Sequence, residues 1–230
     1  MRTLIVGDIH GCAEELEALL TAVDFAAGSD RLLLTGDAFA RGPDPLGVWE
    51  QISAYRAKMV LGNHDARLRQ QLGDLLAGDD PGRNKPDQRY ALRQLAPVQE
   101  ALHAWLMKVP LYLEEDAFLL VHAGINPEHG LAGTRFEEFI TIRTWPPVSG
   151  SIEGPRWHDY YEPSDHSLLI FGHDAPGGLV VKRRHGDLYL LGLDTGCVYG
   201  GALTGYLVEE DRLVEVTSRQ APNAWQERDA

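Results

Sequence analysis

The stretch Gly62-Asn63-His64-Asp65 directly follows a predicted strand at residues 58–61, and this combination decides how the rest of the chain is interpreted. At roughly one in twenty per residue, this order arises by chance about once in a hundred thousand positions. The glycine ends a predicted strand, and an amide, an imidazole and a carboxylate follow it. Polar residues in that place are typical of a site at the carboxyl edge of a sheet.

Four further polar clusters end predicted apolar strands in the same way. Taken singly, a Gly-Asp pair is typical of a turn with a helix cap, and a buried histidine of a satisfied core residue. Five clusters at strand ends favour one shared site. Their carboxylates, imidazoles and amide, without thiolates, indicate manganese, iron, cobalt or zinc at a site that is not structural. The four are Gly7-Asp8-Ile9-His10-Gly11, Gly36-Asp37 with Arg41-Gly42, His122-Ala123-Gly124, and Gly172-His173.

The apolar pattern predicts an α/β fold. Strands at 3–6, 31–35 and 58–61 alternate with helices at 14–25 and 46–55, which indicates a parallel sheet with right-handed crossovers. A loop at 78–88 precedes a helix at 98–108. The absence of repeats and linkers predicts one domain over 1–220, with a short cap region around 130–165 and a loose tail at 221–230. Seven more strands are predicted at 111–114, 118–121, 168–171, 179–182, 188–193, 203–208 and 213–216.

The balance of charge limits the classes of partner. The chain of 230 residues has 34 acidic and 21 basic side chains, a net charge of −13. This disfavours an extended nucleic-acid surface, which would be basic, but it permits a phosphorylated substrate whose charge is met by bound cations. No apolar run has the length of a membrane span. With two cysteines and no predicted leader, we expect a cytoplasmic protein and leave its oligomeric state open.

The motifs, in this order, resemble those of the calcineurin-type metallophosphoesterases, in their phosphoprotein-phosphatase-like branch, from Arg2 to about Arg219. The resemblance implies two mixed β-sheets packed as a sandwich and flanked by helices. It also implies two divalent metal ions, with Mn²⁺ expected first and Co²⁺, Fe or Zn²⁺ as alternatives. The implied metal ligands are Asp8, His10, Asp37, Asn63, His122 and His173, with Asp37 bridging the two ions.

The same resemblance implies how the reaction proceeds. Two close cations bind phosphate oxygens and lower the pKa of a water, so that no protein nucleophile is needed. His64 would protonate the leaving oxygen as general acid. Arg41 and Arg143 would bind the phosphate and offset its charge in the transition state. The alternatives are a surface role for Arg41 and a structural or surface role for Arg143, which lies in no motif.

Several features separate the substrate classes within the branch. Ala40 stands where protein phosphatases carry an acidic residue that supports the catalytic histidine. Residues 193–204, which read LDTGCVYGGALT, resemble the C-terminal signature of the symmetrical dinucleoside tetraphosphate hydrolases. The loop Arg83-Asn84-Lys85-Pro86 also resembles theirs and would place Arg83 and Lys85 against a distal phosphate, the alternative being an ordinary solvated turn. Tyr199 is expected to line the cleft, with core packing as the alternative.

These features predict an enzyme that hydrolyses dinucleoside polyphosphates and cuts diadenosine tetraphosphate into two ADP, with nucleotide-capped RNA 5′ ends offering the same bond. The alternative is a phosphatase of phosphoserine, phosphothreonine or phosphotyrosine in proteins. A non-catalytic binding protein is disfavoured because every expected ligand is present. The stretch from His122 to His173 is shorter than in the tetraphosphate hydrolases. Because this region helps to form the substrate cleft, the motifs leave the choice of substrate open. Trp157, His158 and Tyr160 could stack on a base, and the alternative is that they are exposed loop aromatics in a hydrophobic cap.

Overall fold

The computed structural model describes residues 1–82, 84–147, 153–163 and 168–222. Within these ranges, ten strands form two sheets of five strands each. Every strand lies within two residues of a predicted one. The strands are β1 (Thr3–Val6), β2 (Arg31–Leu34), β3 (Lys58–Met59), β4 (Tyr112–Glu115), β5 (Phe118–Val121), β6 (Leu168–Phe171), β7 (Val180–Arg184), β8 (Asp187–Gly192), β9 (Ala202–Leu207) and β10 (Arg212–Thr217).

Both sheets mix parallel and antiparallel pairs. The first has the order β10-β9-β1-β2-β3, with β1, β2 and β3 parallel, which confirms the parallel arrangement predicted from strand–helix alternation. The second has the order β4-β5-β6-β8-β7, with β5, β6 and β8 parallel. Parallel neighbours end at the same edge, so residues that follow β1, β2 and β3 are adjacent, as are those that follow β5 and β6.

The two sheets pack face to face through aliphatic side chains. Ile5 and Leu33 of the first sheet share a buried cluster with Leu120, Ile170 and other residues of the second. Each fully buried aliphatic side chain contributes about 1.5–3 kcal/mol, so this layer holds the sheets in a fixed relation. Helices from the first half of the chain cover the outer face of the first sheet in a separate apolar cluster, and Phe139 and Ile140 of a later helix pack with the second sheet in another. The predicted sandwich flanked by helices is confirmed.

Two helices in the first half of the chain differ from the sequence prediction. A helix begins at Asn63 and buries Leu68 and Leu72, although no helix was predicted there. A further helix begins at Pro86, so the predicted loop at 78–88 is wrong in its last residues, because proline is well suited to the first turn of a helix. The helices are α1 (Ala13–Ala22), α2 (Pro45–Tyr55), α3 (Asn63–Ala77), α4 (Pro86–Leu95), α5 (Gln99–Leu106), α6 (Gly130–Gly133) and α7 (Phe136–Thr141).

The cap region contains a buried aromatic cluster. Trp157 is 1% exposed and packs edge-on against Phe171, with ring centroids 5.3 Å apart. His158 is also buried, so for these two side chains both predicted alternatives, stacking on a nucleotide base and exposure on a loop, are wrong, because the fold packs them inside the cap. Tyr160 is exposed. Arg83, residues 148–152 and 164–167 of the cap, and residues 223–230 of the tail lie outside the described residues. Among the described helices, none is both long and apolar enough to cross a bilayer.

Candidate active site

The six predicted metal ligands come together at one edge of the sandwich. Each follows a strand: Asp8 and His10 follow β1, Asp37 follows β2, and the others follow β3, β5 and β6. His122 Nε2 lies 3.1 Å from His173 Nδ1 and 3.3 Å from Asn63 Oδ1. The two sheets therefore contribute ligands to a single cluster, although these side chains are far apart in sequence.

Asp37 lies at the centre of this cluster. Its Oδ2 is 3.7 Å from His10 Nε2 and 3.6 Å from His122 Nε2. Two sets of possible ligand atoms, each within 4.8 Å, share this aspartate: one contains His10 and His64, the other His122 and His173. A residue common to two adjacent sets is what a bridging carboxylate requires. Its role as a bridge stays a prediction.

Four residues of the site have left-handed backbone conformations. The φ angles are 48° at His10, 52° at Asp37, 65° at Arg41 and 70° at His173. Residues with a Cβ adopt this region at a cost, and such residues cluster at functional sites. The His10 N–H donates to the Asp37 carbonyl at 2.9 Å, which helps to hold two of them. Tertiary contacts therefore override local backbone preference at this site.

Two glycines of the motifs allow carboxylates to lie against the backbone. A Cβ added to Gly62 would lie 2.2 Å from Asp37 Oδ1, and one added to Gly172 would lie 2.0 Å from Asp8 Oδ1. Neither distance is sterically possible. Glycine is therefore required immediately before Asn63 and His173, because an aspartate at the end of another strand occupies the space of a side chain.

Two residues that the sequence analysis did not assign support the ligands. Asp65 accepts hydrogen bonds from the backbone N–H of Asp37 at 2.6 Å and of Ala38 at 3.2 Å. Thr35 donates its hydroxyl to Asp8 Oδ1 at 2.8 Å, and its carbonyl lies 2.8 Å from His122 Nδ1. With Nδ1 donating there, Nε2 of His122 offers its lone pair to the site. Asp65 could have been found, since it completes the Gly-Asn-His-Asp motif.

The electrostatics of the cluster fit divalent cations. Burial raises the pKa of Asp37 to about 6, and burial together with Asp194 and Asp37 raises the pKa of Asp8. Burial lowers the pKa of His10 and His173, so the imidazoles are neutral at pH 7. His10 Nδ1 and His173 Nε2 are buried without a hydrogen-bond partner among the described residues. Arg41 and Arg143 offset the charge of these buried carboxylates only in part, since the pKa of Asp37 stays raised, and bound divalent cations would supply the remaining positive charge.

A cleft of about 690 Å³ opens beside this cluster. Arg41 donates a hydrogen bond to the Tyr199 hydroxyl, and its guanidinium lies 5.5 Å from the centre of that ring. Tyr199 also packs against the apolar core, so both roles considered for it are present. Asp194, whose pKa burial raises to about 6, belongs to the quoted signature but was not predicted as a site residue. The lining residues include His10, Asp37, Arg41, His64, Arg143, His173, Asp194 and Tyr199.

The other predicted substrate contacts differ in position. Arg143 lines the cleft and donates to the His173 carbonyl at 3.0 Å. Lys85 is exposed and does not line the cleft. Its neighbour Asn84 accepts a hydrogen bond from Gln71 at 2.6 Å. On the adjoining helix, Tyr90 donates to the Pro43 carbonyl at 2.7 Å. These bonds place the loop that contains Lys85 beside the segment that follows Arg41.

The architecture and this cluster identify the family. A family model described as calcineurin-like phosphoesterase matches residues 1–192. The chain belongs to the calcineurin-like phosphoesterase family. The predicted family, fold and enzyme class are confirmed, and this calcineurin-like phosphoesterase is a hydrolase that acts on phosphoric esters or anhydrides.

Several relatives of this phosphoesterase are named symmetrical bis(5′-nucleosyl)-tetraphosphatase. The protein of Edwardsiella ictaluri is 42% identical over 96% of this chain and 98% of its own. That of Vibrio parahaemolyticus is 41% identical, with coverages of 93% and 97%. The Edwardsiella alignment has 282 positions against 230 residues here, so that relative carries insertions.

Solved structures agree with this family. The structure of a candidate diadenosine tetraphosphatase superposes with a TM-score of 0.74 at 30% identity, covering 94% of this chain and 93% of that one. A cold-active protein-tyrosine phosphatase of a Shewanella species has a TM-score of 0.57 at 18% identity. The second similarity shows the fold alone.

Proposed function

We propose that this phosphoesterase hydrolyses dinucleoside polyphosphates and splits diadenosine tetraphosphate symmetrically into two ADP. The observation that carries the proposal is the similarity, at about 40% identity over nearly the full length, to proteins named symmetrical tetraphosphatases. A nucleotide-capped RNA 5′ end presents the same phosphoanhydride bond. A protein phosphatase has less support, because similarities to such enzymes are low and show the fold alone.

The surroundings of His64 agree with a phosphoanhydride substrate. Its backbone N–H donates to Asp37 Oδ1 at 2.9 Å, and no described carboxylate accepts a hydrogen bond from its ring. Burial and the charge of Arg41 lower its pKa. ADP is a weakly basic leaving group that needs little protonation, whereas a serine alkoxide needs much. An acid without a supporting carboxylate is therefore better suited to an anhydride, and we propose that Ala40, at the position where protein phosphatases carry an acidic residue, accounts for the missing carboxylate.

The residues divide into two functional sets in this proposal. Two bound divalent cations, which we propose to be Mn²⁺, would polarise the phosphate and acidify a water. Arg41 and Arg143 hold phosphate oxygens by charge-assisted hydrogen bonds, and His64 gives a proton to the departing oxygen. Tyr199 keeps the Arg41 guanidinium at the cleft by accepting its hydrogen bond. The residues that would hold the cations are Asp8, His10, Asp37, Asn63, His122 and His173.

The loop that contains Lys85 is proposed to bind the phosphates that lie away from the scissile bond. Lys85 lies close enough to His64 for its charge to lower that pKa, so it can contribute positive charge along a polyphosphate. We propose that Arg83 and Lys85 bind the phosphates away from the scissile bond. We also propose that residues 1–220 form one domain and that the enzyme acts in the cytoplasm, where its nucleotide substrates occur.

The test compares two substrates with one enzyme. The purified protein is incubated with Mn²⁺ and either diadenosine tetraphosphate or a phosphoserine peptide, and products are separated by chromatography. We expect a higher kcat/KM for the tetraphosphate, ADP as the sole nucleotide product, and loss of activity with a chelator. Products of AMP and ATP, or a preference for the peptide, would contradict the proposal.

A variant pair extends this test to the distal phosphates. Alanine at Arg83 and Lys85 should raise KM for the tetraphosphate and leave turnover of p-nitrophenyl phosphate unchanged, since that substrate has one phosphate. Arg93→Ala, which removes an exposed arginine from α4, is the matched control and should change neither substrate.

A further inference from the structure

The cap brings two arginines together by pairing two short segments. Thr144 and Arg156 form an antiparallel bridge. On either side of it, the Trp145 N–H donates to the Pro155 carbonyl and the Trp157 N–H donates to the Arg143 carbonyl, each at 3.0 Å. This pairing fixes the backbones of Arg143 and Arg156 relative to each other, at the end of the cleft near His173.

Asp174 lies between these two arginines. Its Oδ2 is 2.8 Å from Arg156 Nε, and its Oδ1 is 3.6 Å from Arg143 Nε. The carboxylate is 7% exposed. Asp174 Oδ1 and Arg143 Nε are both buried and make no hydrogen bond within the described part of the chain, so their contact is an ion pair at 3.6 Å, and Arg156 is the nearer charged partner of Asp174. The Asp174 carboxylate is poorly solvated, so its attraction to Arg143 is little screened, whereas the Arg143 side chain is 28% exposed and stays accessible to a ligand.

The guanidinium of Arg143 is held at a second point. One of its terminal nitrogens donates at 3.0 Å to the carbonyl of His173, the residue next to Asp174. With Nε facing Asp174 and one terminal nitrogen on this carbonyl, the other donors remain for a ligand in the cleft that Arg143 lines. A long arginine side chain that is fixed in advance loses less rotamer entropy when it binds a phosphate.

We propose that Asp174, itself held by Arg156, is the positioning residue that fixes Arg143 for phosphate binding in this shortened cap. The inference rests on the phosphate-binding role proposed for Arg143. Asp174 touches no substrate in this account and acts only through Arg143. Arg156 keeps the carboxylate in place and balances its charge, so Arg143 can be engaged by substrate without leaving Asp174 unpaired.

The test is a double-mutant cycle with p-nitrophenyl phosphate and with inorganic phosphate as a competitive inhibitor, both at saturating Mn²⁺. Arg143→Ala should lower kcat/KM roughly 100-fold, the loss expected for one transition-state donor. Asp174→Asn should lower it roughly 10-fold and weaken phosphate inhibition. The double variant should be no worse than Arg143→Ala alone, because Asp174 acts through Arg143. Losses that multiply to roughly 1,000-fold would overturn the inference.

Added guanidinium gives a readout that a merely structural residue would not change. Guanidinium ion should partly restore Arg143→Ala and should not restore the Arg143→Ala/Asp174→Asn double variant. Arg156→Lys should retain more activity than Arg156→Met. Equal restoration of the single and double variants would overturn the role of Asp174.

One control variant and three possible outcomes separate this inference from the proposed function. Lys182→Met removes another anchor of the cap, since Lys182 donates to the His158 carbonyl and to Asp159, and it should leave kcat/KM unchanged. A full effect of Arg143→Ala with none of Asp174→Asn would refute the positioning role alone. Wild-type activity in Arg143→Ala would refute the proposed role of Arg143 and the inference together. Failure to cleave diadenosine tetraphosphate, with p-nitrophenyl phosphate still hydrolysed, would refute only the proposed substrate.

Discussion

The ligand cluster and one wall of the cleft are held by different kinds of bond. This wall consists of Arg41 and Arg143 together with Tyr199 and Asp174, which contact them. In the cluster, main-chain groups fix side chains: the His64 N–H holds Asp37, the His173 N–H holds Asp8, and the Thr35 carbonyl holds His122. In the wall, side-chain partners take a larger part: Tyr199 accepts a hydrogen bond from Arg41, and Asp174 lies against Arg143, which also donates to the His173 carbonyl. The sheets thus specify the cluster directly, whereas the wall depends on individual contacts between loops.

This difference has an energetic consequence. A change in the cluster disturbs several ligands that share strands and main-chain bonds. A change in the wall removes one contact and leaves the rest of the site in place. Substitutions in the cluster should therefore abolish metal binding or catalysis, and substitutions in the wall should have graded effects on substrate binding.

The largest effect is expected from Asp37→Asn. A neutral amide bridges two cations poorly, so turnover should fall on the order of 10⁴-fold or more, since metal ions supply several kcal/mol to the transition state. Metal content after desalting, measured by mass spectrometry, should fall with it. Asp30→Asn, at an aspartate paired with Arg2 outside the cleft, is the control. If Asp37→Asn retained both metals, the expected difference between cluster substitutions, which abolish metal binding, and wall substitutions, which do not, would be contradicted.

His64→Asn should have the next largest effect. We expect kcat to fall roughly 10²–10⁴-fold, the contribution of a general acid, with metal content unchanged. The loss should be smallest for substrates whose leaving group is a weak base. His103→Asn, at a half-buried histidine that does not line the cleft, should be neutral. Loss of metal with a normal rate per occupied site would make His64 part of the ligand cluster instead.

Asp65→Asn tests the main-chain support of the cluster. An amide presents an NH₂ group where the carboxylate accepts from the Asp37 N–H, so the metal affinity should fall roughly 10–100-fold, as for loss of a group that orients a ligand. Titration calorimetry with Mn²⁺ measures this. Asp44→Asn, which preserves a helix cap, serves as the control. An unchanged affinity would show that the strands alone suffice to place Asp37.

Tyr199→Phe should have the smallest effect. The ring remains beside Arg41 and only the accepting hydroxyl is lost, which amounts to about 0.5–1.5 kcal/mol, or a roughly 2–12-fold rise in KM. Tyr206→Phe removes a hydroxyl that donates to Asp211 instead and should leave KM unchanged. A large fall in kcat with KM constant would place Tyr199 with the catalytic residues and not with the wall.

The strands and the cluster were predictable because both depend on local patterns. An apolar run that ends in glycine and a polar residue gives the position of a strand end directly, and parallel strands end at one edge. The helix α3 was missed because its first residues are the ligand motif itself, and α4 because Pro86 belongs to a quoted loop motif. Trp157 and His158 looked like surface aromatics until the fold placed them against Phe171.

The sequence by itself determined the family motifs, the order of the strands along the chain and the chemical nature of the candidate ligands. Only the tertiary structure decided which bonds hold them: the left-handed backbone at His10, Asp37, Arg41 and His173, the support from Asp65, and the Asp174 contact of Arg143. The physical reason is distance along the chain. Local sequence specifies a strand and its end, whereas backbone strain and buried ion pairs are stable only where packed elements from distant segments impose them.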